Sequence, residues 1–556
     1  MISDDALETA WKKALKYWGL AIQTDRPRLD PKVEALAFID LSSRQVTVNP
    51  ARLADLKAED CLEAVLTHEL GHHLRYPHTL GTAARLELFE RELIPLRGDS
   101  LQNLFTDTLI HLDLGATPHL RDQIVRIFQA MTLPRDAALS DAPFLFYLTV
   151  LEEAFGLAPR ALTREAGEAF EVTFPGCRAE AQLMAQELPN LAPNIFTQFL
   201  YFASVVSRYQ LQGEMQTLWT SRDPLRGDYG RPDAGDYADA LRRGALENDA
   251  VNEAVKKGWL KKANVPDAAS SERIRTAAMP GILSGEPKKL AEAMALHYRR
   301  LAERYLVKPP PSKTSGEPII PSTLSPWDFG DAPNAIDWLA SVLASGAELG
   351  AAQPLKRDLI EDEPSESPTD ARVRLEIYLD VSGSMPDPKG ALNPMTLAAQ
   401  VLCFSALRHG GQARALIYSG NCVKHWQWTR SEEVISRFLM EYIGGGTVFP
   451  FGVLSASVAE CQRAQPVRVA LTDGDFLSNL AAKGQAPILR RAAASAPFVV
   501  LMNGFDDSPA SRKALEPIAR EGARPLGVVD LQRFPAVAAA LGEALFGKPG
   551  NPGGRP

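Results

Sequence analysis

Residues 373–384 have the sequence Val-Arg-Leu-Glu-Ile-Tyr-Leu-Asp-Val-Ser-Gly-Ser, a strand-like run followed by a tight loop of polar residues. The run Val373–Leu379 predicts a strand, with Glu376 facing solvent or a neighbouring helix. Strand-like and helical runs then alternate, which predicts a doubly wound (Rossmann-like) α/β domain over 371–547. The later strand-like runs lie at 413–418, 467–471 and 498–502, and the helical runs at 395–409, 431–442, 484–494 and 533–546.

Oxygen-bearing side chains follow the strands of this predicted domain. Asp380, Ser382 and Ser384 come at every second residue directly after the first strand. Thr447 follows three glycines, and Asp473 follows the strand-like run that ends at Leu471. Ligands bind at the carboxyl ends of the strands in open α/β sheets. All-oxygen ligation with few charges suits Mg²⁺, so these five residues predict a magnesium site.

A second metal motif, His68-Glu69-Leu70-Gly71-His72, lies near the N-terminus. The histidines are four residues apart, so a helix presents both imidazoles on one face. Neutral imidazole nitrogen suits zinc, which makes a water molecule reactive near neutral pH. We expect Glu69 to act as the general base, because it lies beside the metal without ligating it.

Two residues compete to be the third zinc ligand, which a catalytic site needs in addition to an open position. His78 has the spacing of the third histidine of metzincins, but Arg75 stands where those proteins have the glycine that lets the chain turn back. Asp107 offers a carboxylate from a later helix, with Asn103 and His111 on the same helical face as supporting groups. The sequence favours Asp107.

The remaining pattern predicts a mainly helical α+β region before the sheet domain. Two strands, Val33–Ile39 and Gln45–Val48, precede the motif helix, and the edge of the second is expected to be free to pair with extended substrate backbone. The predicted parts are a zincin-like metallopeptidase domain (1–135), a helical region (136–306), a proline-rich and acidic connector (307–370), the sheet domain (371–547) and a flexible tail (548–556).

Length, charge and cysteine content limit the domain count, the partners and the cellular location that we expect for this protein. The 556 residues predict two or three domains, and a net charge of -8 does not favour a nucleic-acid partner. The five cysteines form no CxxC pair and suit reduced thiols. No apolar run reaches the roughly 20 residues that span a bilayer, and the N-terminus has no signal-peptide core. We therefore expect a cytoplasmic protein without a membrane partner.

The first 120 residues resemble the metallopeptidase domains that precede von Willebrand A-like domains in bacteria. The resemblance lies in Arg44–Pro50, the His68–His72 motif and Asn103–Asp107, with His111 where the family often has asparagine. It implies zinc held by two histidines and an acid, with peptide-bond hydrolysis as the activity. Proteins of this group typically accompany a MoxR-type AAA+ ATPase, which is the implied partner.

Residues 371–547 resemble the von Willebrand factor A (VWA) domain with its magnesium-dependent adhesion site (MIDAS). The resemblance implies that Ser382, Ser384 and Thr447 ligate Mg²⁺ directly, with Asp380 and Asp473 acting partly through water. A carboxylate of a partner protein would take the open position. The leading hypothesis is a zinc metallopeptidase whose MIDAS docks a partner or substrate. The alternative is a non-catalytic adaptor in which zinc is structural.

Overall fold

The computed structural model describes most of the chain, in segments of varied length. No helix within them is both long enough and apolar enough to cross a bilayer. The predicted tail and most of the predicted connector lie outside the described residues. The described residues are 2–19, 24–94, 100–130, 141–210, 229–306, 324–327, 336–338, 340–341, 355–357, 373–420, 422–461 and 465–546.

The N-terminal part begins with a capped helix and a small sheet. Helix α1 (Asp4–Trp18) starts where the Ser3 side chain accepts a hydrogen bond from the Ala6 amide, and Gly19 in a left-handed conformation ends it. Strand order in the sheet is β1-β3-β2, with β3 parallel to β1 and antiparallel to β2. The strands are β1 (Arg28–Leu29), β2 (Ala37–Asp40) and β3 (Gln45–Val48).

The central position of β3 corrects one prediction. The strand before the motif helix has the predicted bounds, Gln45–Val48, but within the described residues it pairs with β2 along its whole length and with β1 at Thr47 and Val48. The two-residue strand β1, which gave no apolar signal in the sequence, therefore covers part of the second side.

The described residues between 50 and 302 are mainly helical. The motif helix α3 is preceded by a 3-10 turn and ends one residue before Arg75. The helices are α2 (Pro50–Asp55), α3 (Leu62–Leu74), α4 (Leu80–Leu93), α5 (Gln102–Gly115), α6 (Pro118–Ala130), α7 (Ala142–Phe155), α8 (Arg164–Thr173), α9 (Cys177–Glu187), α10 (Ile195–Val206), α11 (Ala234–Ala240), α12 (Ala245–Lys257), α13 (Ala268–Ile282) and α14 (Pro287–Ala302).

One hydrophobic core joins the small sheet to most of these helices. It extends from Leu7 to Ala254, so its residues lie on both sides of the predicted boundary at 135–136. Helix α3 is central to this core, because ten of its residues from Leu62 to His72 are buried. A helix buried on most of its circumference places polar side chains in the protein interior, where they need partners.

The C-terminal part is an α/β sheet of six strands in the order β11-β10-β9-β6-β7-β8. Neighbouring strands are parallel except for the edge strand β8, which is antiparallel to β7. The strands are β6 (Arg374–Asp380), β7 (Gln412–Ser419), β8 (Cys422–His425), β9 (Val467–Thr472), β10 (Phe498–Asn503) and β11 (Arg524–Val528). Two short strands, β4 (Leu324–Pro326) and β5 (Leu355–Arg357), form a separate antiparallel pair.

Helices cover both faces of the six-stranded sheet, as predicted. Alternate side chains of β6 point to opposite faces: Leu375, Ile377 and Leu379 belong to one hydrophobic cluster and Tyr378 to another. The helices are α15 (Pro394–Arg408), α16 (Glu432–Leu439), α17 (Phe451–Glu460), α18 (Asp475–Ala481), α19 (Ala486–Ser495), α20 (Pro509–Arg520) and α21 (Phe534–Phe546).

Glu376 does not face solvent, one of its two predicted environments, because it is fully buried in the middle of β6; it faces the neighbouring helix α17, which carries Ser457. Its carboxylate accepts hydrogen bonds from Arg414 Nε at 2.8 Å and Arg468 Nε at 2.9 Å, and from the Ser457 hydroxyl at 2.7 Å. Arg414 and Arg468 lie on the strands that flank β6, opposite Glu376 in register. The charge is therefore buried with two counter-charges, as a buried carboxylate requires.

The helical part packs directly against the sheet part. Tyr298 on α14 is fully buried, and its hydroxyl donates to the Ala391 carbonyl at 3.2 Å and accepts from the Asn393 amide at 2.6 Å. Both of these residues lie in the segment that follows Ser384. Helices α4, α11, α13 and α14 share a hydrophobic cluster with β6 and α15.

Candidate metal centres

Close approach of α3 to its neighbours shapes the N-terminal centre. Gly71 faces α5, and a Cβ atom placed there would lie 3.0 Å from Ile110 Cγ2 and 3.2 Å from Trp18 Cζ2. The Trp18 indole N–H donates to the Thr67 carbonyl at 2.9 Å and fixes α1 against the same helix. A glycine at this position therefore lets α5 come close to the turn of α3 that carries the two histidines.

Three potential ligand atoms converge between α3 and α5. His68 Nε2 lies 3.2 Å from His72 Nε2, and Asp107 Oδ1 lies 3.3 Å from His72 Nε2 and 3.7 Å from His68 Nε2. A tetrahedral zinc ion with bonds of about 2.0–2.1 Å separates its ligands by about 3.3 Å. The donor set of two imidazoles and a carboxylate therefore fits zinc in both chemistry and spacing.

The orientation of His72 is fixed from its other ring nitrogen. Nδ1 lies 2.8 Å from the Tyr76 carbonyl oxygen, to which it donates, leaving the Nε2 lone pair directed at the cluster. Burial lowers the His72 pKa, but the hydrogen bond and charge of Asp107 and the charge of Glu69 outweigh it and raise the pKa above its ordinary value. Glu69 is fully buried beside these residues.

His111 lies behind the cluster on the same face of α5 as Asp107. Its ring stacks on that of His68 with 4.5 Å between centroids, and its Nδ1 lies 2.6 Å from the Tyr147 hydroxyl. Burial, followed by the charge of His72, lowers the His111 pKa to about 3. A neutral imidazole thus supports His68 without adding charge to the centre.

The structure brings Asp107 and not His78 to the two motif histidines. His78 is exposed, has a φ of 74°, and its Nδ1 lies 2.6 Å from the His73 carbonyl oxygen. Among the described residues, the group whose ligand atoms lie within 4.8 Å of one another consists of His68, His72 and Asp107. Ligand atoms from three residues leave a tetrahedral ion one further position.

Tyr229 covers the centre on one side, and the sequence gave no signal for it. Its ring centroid lies 5.3 Å from that of His72, and 5% of the residue is exposed. The Tyr229 carbonyl accepts from the Leu41 amide at 3.0 Å, which anchors it beside the end of β2. The predicted base and ligands are accordingly closed off from solvent: His68, Glu69 and His72 are fully buried and Asp107 is 2% exposed.

Four of the five predicted magnesium ligands form a chain of short contacts at the carboxyl edge of the sheet. The Asp380 carboxylate accepts from the Ser382 amide at 2.9 Å. Ser382 Oγ lies 3.0 Å from Ser384 Oγ, which donates to Asp473 Oδ2 at 3.1 Å. The strands β6 and β9 are neighbours, so Asp380 and Asp473 reach the same edge position.

The fifth residue, Thr447, follows a glycine loop that packs on the first one. The Gly383 amide donates to the Gly445 carbonyl at 2.7 Å, and the Gly444 amide donates to the Val381 carbonyl at 3.0 Å. Gly444 and Gly445 have φ values of 74° and 92°, which favour glycine. Thr447 is half-buried and its carbonyl accepts from Asn479 at 3.1 Å.

The buried carboxylate of Asp380 has an electrostatic environment that suits a cation. Burial raises its pKa to about 6, hydrogen bonds from Ser382 and Thr472 oppose that rise, and the charge of Asp473 adds to it. A divalent ion between the two carboxylates would offset both burial and mutual repulsion.

Known proteins that are similar to this chain are found among solved structures. No family model and no curated protein matches the chain. A solved structure, von Willebrand factor type A from Catenulispora acidiphila, is similar with a TM-score of 0.24 and 15% sequence identity. That similarity covers 31% of this chain and 42% of the other, so the chain spans less than half the length of that protein.

Proposed function

We propose that this chain is a zinc-dependent metallopeptidase, whose C-terminal VWA-like domain binds magnesium and docks a protein partner. The observation that carries the enzymatic half is the convergence of His68 Nε2, His72 Nε2 and Asp107 Oδ1 within 3.7 Å of one another. Two histidines and a carboxylate from separate helices, with a glutamate beside the first histidine, form the donor set of zinc hydrolases.

The chemistry follows from the positions of the side chains. Zinc, when bound, would polarise the scissile carbonyl and activate a water molecule. Glu69 would take a proton from that water and pass it to the leaving amine, because its position next to His68 keeps it near the ion without ligating it. His72, held by the Tyr76 carbonyl, and Asp107 would keep the donor atoms in place.

The test is hydrolysis by variants of known metal content. We expect Glu69→Gln protein to retain about one zinc per chain and to lose at least 100-fold in the rate of hydrolysis of an unstructured peptide. Glu63→Gln is the matched control, because Glu63 lies in the first turn of the same helix, where it pairs with Lys13 and His119. Equal hydrolysis by the Glu69 variant and the wild type would refute the base.

The docking half is supported by the chain of contacts from Asp380 to Asp473 and by the open carboxyl edge that carries it. We propose that the partner contributes a carboxylate to the ion, and the first candidate is a MoxR-type AAA+ ATPase. Magnesium-dependent binding of that ATPase by the wild type, abolished by Asp473→Ala, would support this assignment; binding that survives EDTA would contradict it.

One observation favours the alternative of a non-catalytic adaptor with structural zinc. The three donor residues and Glu69 are buried, whereas a working peptidase must admit a substrate. The number of ligands favours catalysis instead, because a structural site normally fills all four positions with protein ligands and three ligand groups converge here among the described residues. The hydrolysis assay separates the two functions, since an adaptor would retain zinc and cleave nothing.

A further inference from the structure

A cavity of about 400 Å³ lies beside the N-terminal metal centre, between the first helices and the segments that lead to the sheet part. Helices α4 and α5 form one wall, residues 229–232 form another, and the turn between α13 and α14 closes the third side. This volume is within the range of roughly 300–1,000 Å³ that is usual for ligand sites. Walls from three separate parts of the chain are also usual for such sites.

Two residues connect this cavity to the metal centre. Asn103 lines it, and Asp107 lies one turn further along the same face of α5, a rise of about 6 Å. Tyr229 lines the cavity too, and its ring packs on His72. Tyr229 therefore lies between the cavity, which it lines, and the predicted zinc ligand His72, which its ring contacts.

The chemistry of the walls favours a peptide over a strongly charged or apolar ligand. The charged groups are paired with one another: Glu286 binds Lys289 at 2.6 Å and Arg231 at 3.2 Å. The half-buried carboxylate of Glu87 accepts from the Tyr237 hydroxyl at 2.9 Å. Uncharged donors and acceptors, among them the Asn103 amide, are what peptide N–H and C=O groups require.

We propose that this cavity binds an extended peptide segment of the substrate, and that the Tyr229 side chain closes the passage from the cavity to the metal centre. The proposal rests on the hydrolase function and specifies where its substrate enters. With the Tyr229 ring displaced, the bound segment would reach Asp107 and the motif histidines. This movement explains how a buried centre meets a polymeric substrate.

A pair of glycines provides a matched test. Gly285, in the turn between α13 and α14, lines the cavity, whereas Gly281, four residues earlier, does not. Both are exposed, and a Cβ atom at either would have no heavy atom within 4 Å, so a larger side chain is tolerated at both. We expect Gly285→Trp to fill the mouth of the cavity and Gly281→Trp to leave it open.

The measurement is the binding of a fluorescent, unstructured decapeptide mixture to zinc-loaded protein by fluorescence anisotropy. All variants carry Glu69→Gln, so hydrolysis does not affect the readout. We expect Gly281→Trp to bind as the parent does and Gly285→Trp to bind at least tenfold more weakly. Equal affinity of the two variants, or no binding by any of them, would overturn the proposal.

Tyr229 is tested by the rate of hydrolysis in the chain with Glu69 intact. We expect Tyr229→Ala to raise kcat/KM for a short peptide at least threefold and Tyr229→Phe to leave it near the wild-type value, because the ring and not the hydroxyl closes the passage. A fall with both variants would refute that role. Peptide binding in the cavity without any hydrolysis by the wild type would instead refute the hydrolase and retain the binding site.

Discussion

Glu90 on α4 offers a quantitative prediction, because it holds the start of the helix that carries Asp107. Its carboxylate accepts from the Leu101 amide at 2.6 Å and from the Ser100 hydroxyl, immediately before α5 begins. The residue is fully buried. Burial raises its pKa from 4.5 to about 7, although the hydrogen bonds from Ser100 and Leu101 oppose that rise.

The sign of the effect on stability follows from proton binding. Below pH 4.5 the carboxyl is protonated in both the folded and unfolded states. Between pH 4.5 and about 7 the folded state of the wild type retains a proton that the unfolded state has lost, so the free energy of unfolding falls as pH rises. The pKa difference of about 2.5 lowers the free energy of unfolding by about 3 kcal/mol, and this loss is complete above pH 7.

Glu90→Gln removes this titration while keeping an acceptor for the Leu101 amide. Between pH 4.5 and pH 8, the free energy of unfolding of the variant should rise by about 3 kcal/mol relative to that of the wild type. A constant cost of the substitution does not affect this change with pH. For a cooperative unit of roughly 150–250 residues this is roughly 6–12 °C in the difference between the two melting temperatures. Scanning calorimetry at several pH values measures it.

Glu34→Gln is the control, because Glu34 is an exposed residue in the loop before β2. It should leave the melting temperature close to the wild-type value, because an exposed substitution away from caps and packed contacts changes stability little. A difference between Glu90→Gln and the wild type that is constant from pH 4.5 to pH 8 would show that the Glu90 carboxyl titrates alike in the folded and unfolded states, and would refute the reasoning.

Three further substitutions test other parts of the structure. Gly71→Ala should lower the free energy of unfolding by roughly 1–3 kcal/mol and lower zinc retention, because the added methyl group meets Ile110. A wild-type melting temperature and zinc content would contradict the close approach of α5. Tyr298→Phe should lower the free energy of unfolding by about 1–3 kcal/mol, because it leaves the buried Asn393 amide without its acceptor. Unchanged thermal unfolding would argue against that hydrogen bond. Asp380→Ala should weaken magnesium binding at least tenfold by calorimetric titration while leaving zinc content unchanged; loss of both metals would indicate misfolding instead.

Much of the sheet could be predicted from the sequence, because its central strands are largely buried on both faces and appear as mainly apolar runs. The predicted strands at 467–471 and 498–502 each fall one residue short of β9 and β10. The edge strands β8 and β11 were missed. β8 is largely exposed and lacks an apolar pattern, and β11 contains Pro525 and Gly527, which weaken the strand signal.

The candidate zinc centre was likewise predictable where it depends on residue spacing within one helix, and not where it depends on contacts made by the fold. The i, i+4 spacing of His68 and His72 places both rings on one helical face, and an acid on a later helix is a familiar complement. Contacts made across the fold could not be predicted: Tyr229 reaches His72 from more than 150 residues away. The sequence left Glu376 between solvent and a neighbouring helix for a similar reason, since its partners Arg414 and Arg468 are set by strand register.

Zinc content shows whether His68, His72 and Asp107 share one ion, on which the hydrolase function proposed for the N-terminal part depends. The measurement is zinc per chain, by mass spectrometry after dialysis, for the wild type, Asp107→Ala and His78→Ala. We expect about one zinc in the wild type and in His78→Ala, and a loss of most of the zinc in Asp107→Ala. Full zinc in Asp107→Ala, or zinc lost from His78→Ala instead, would contradict the account.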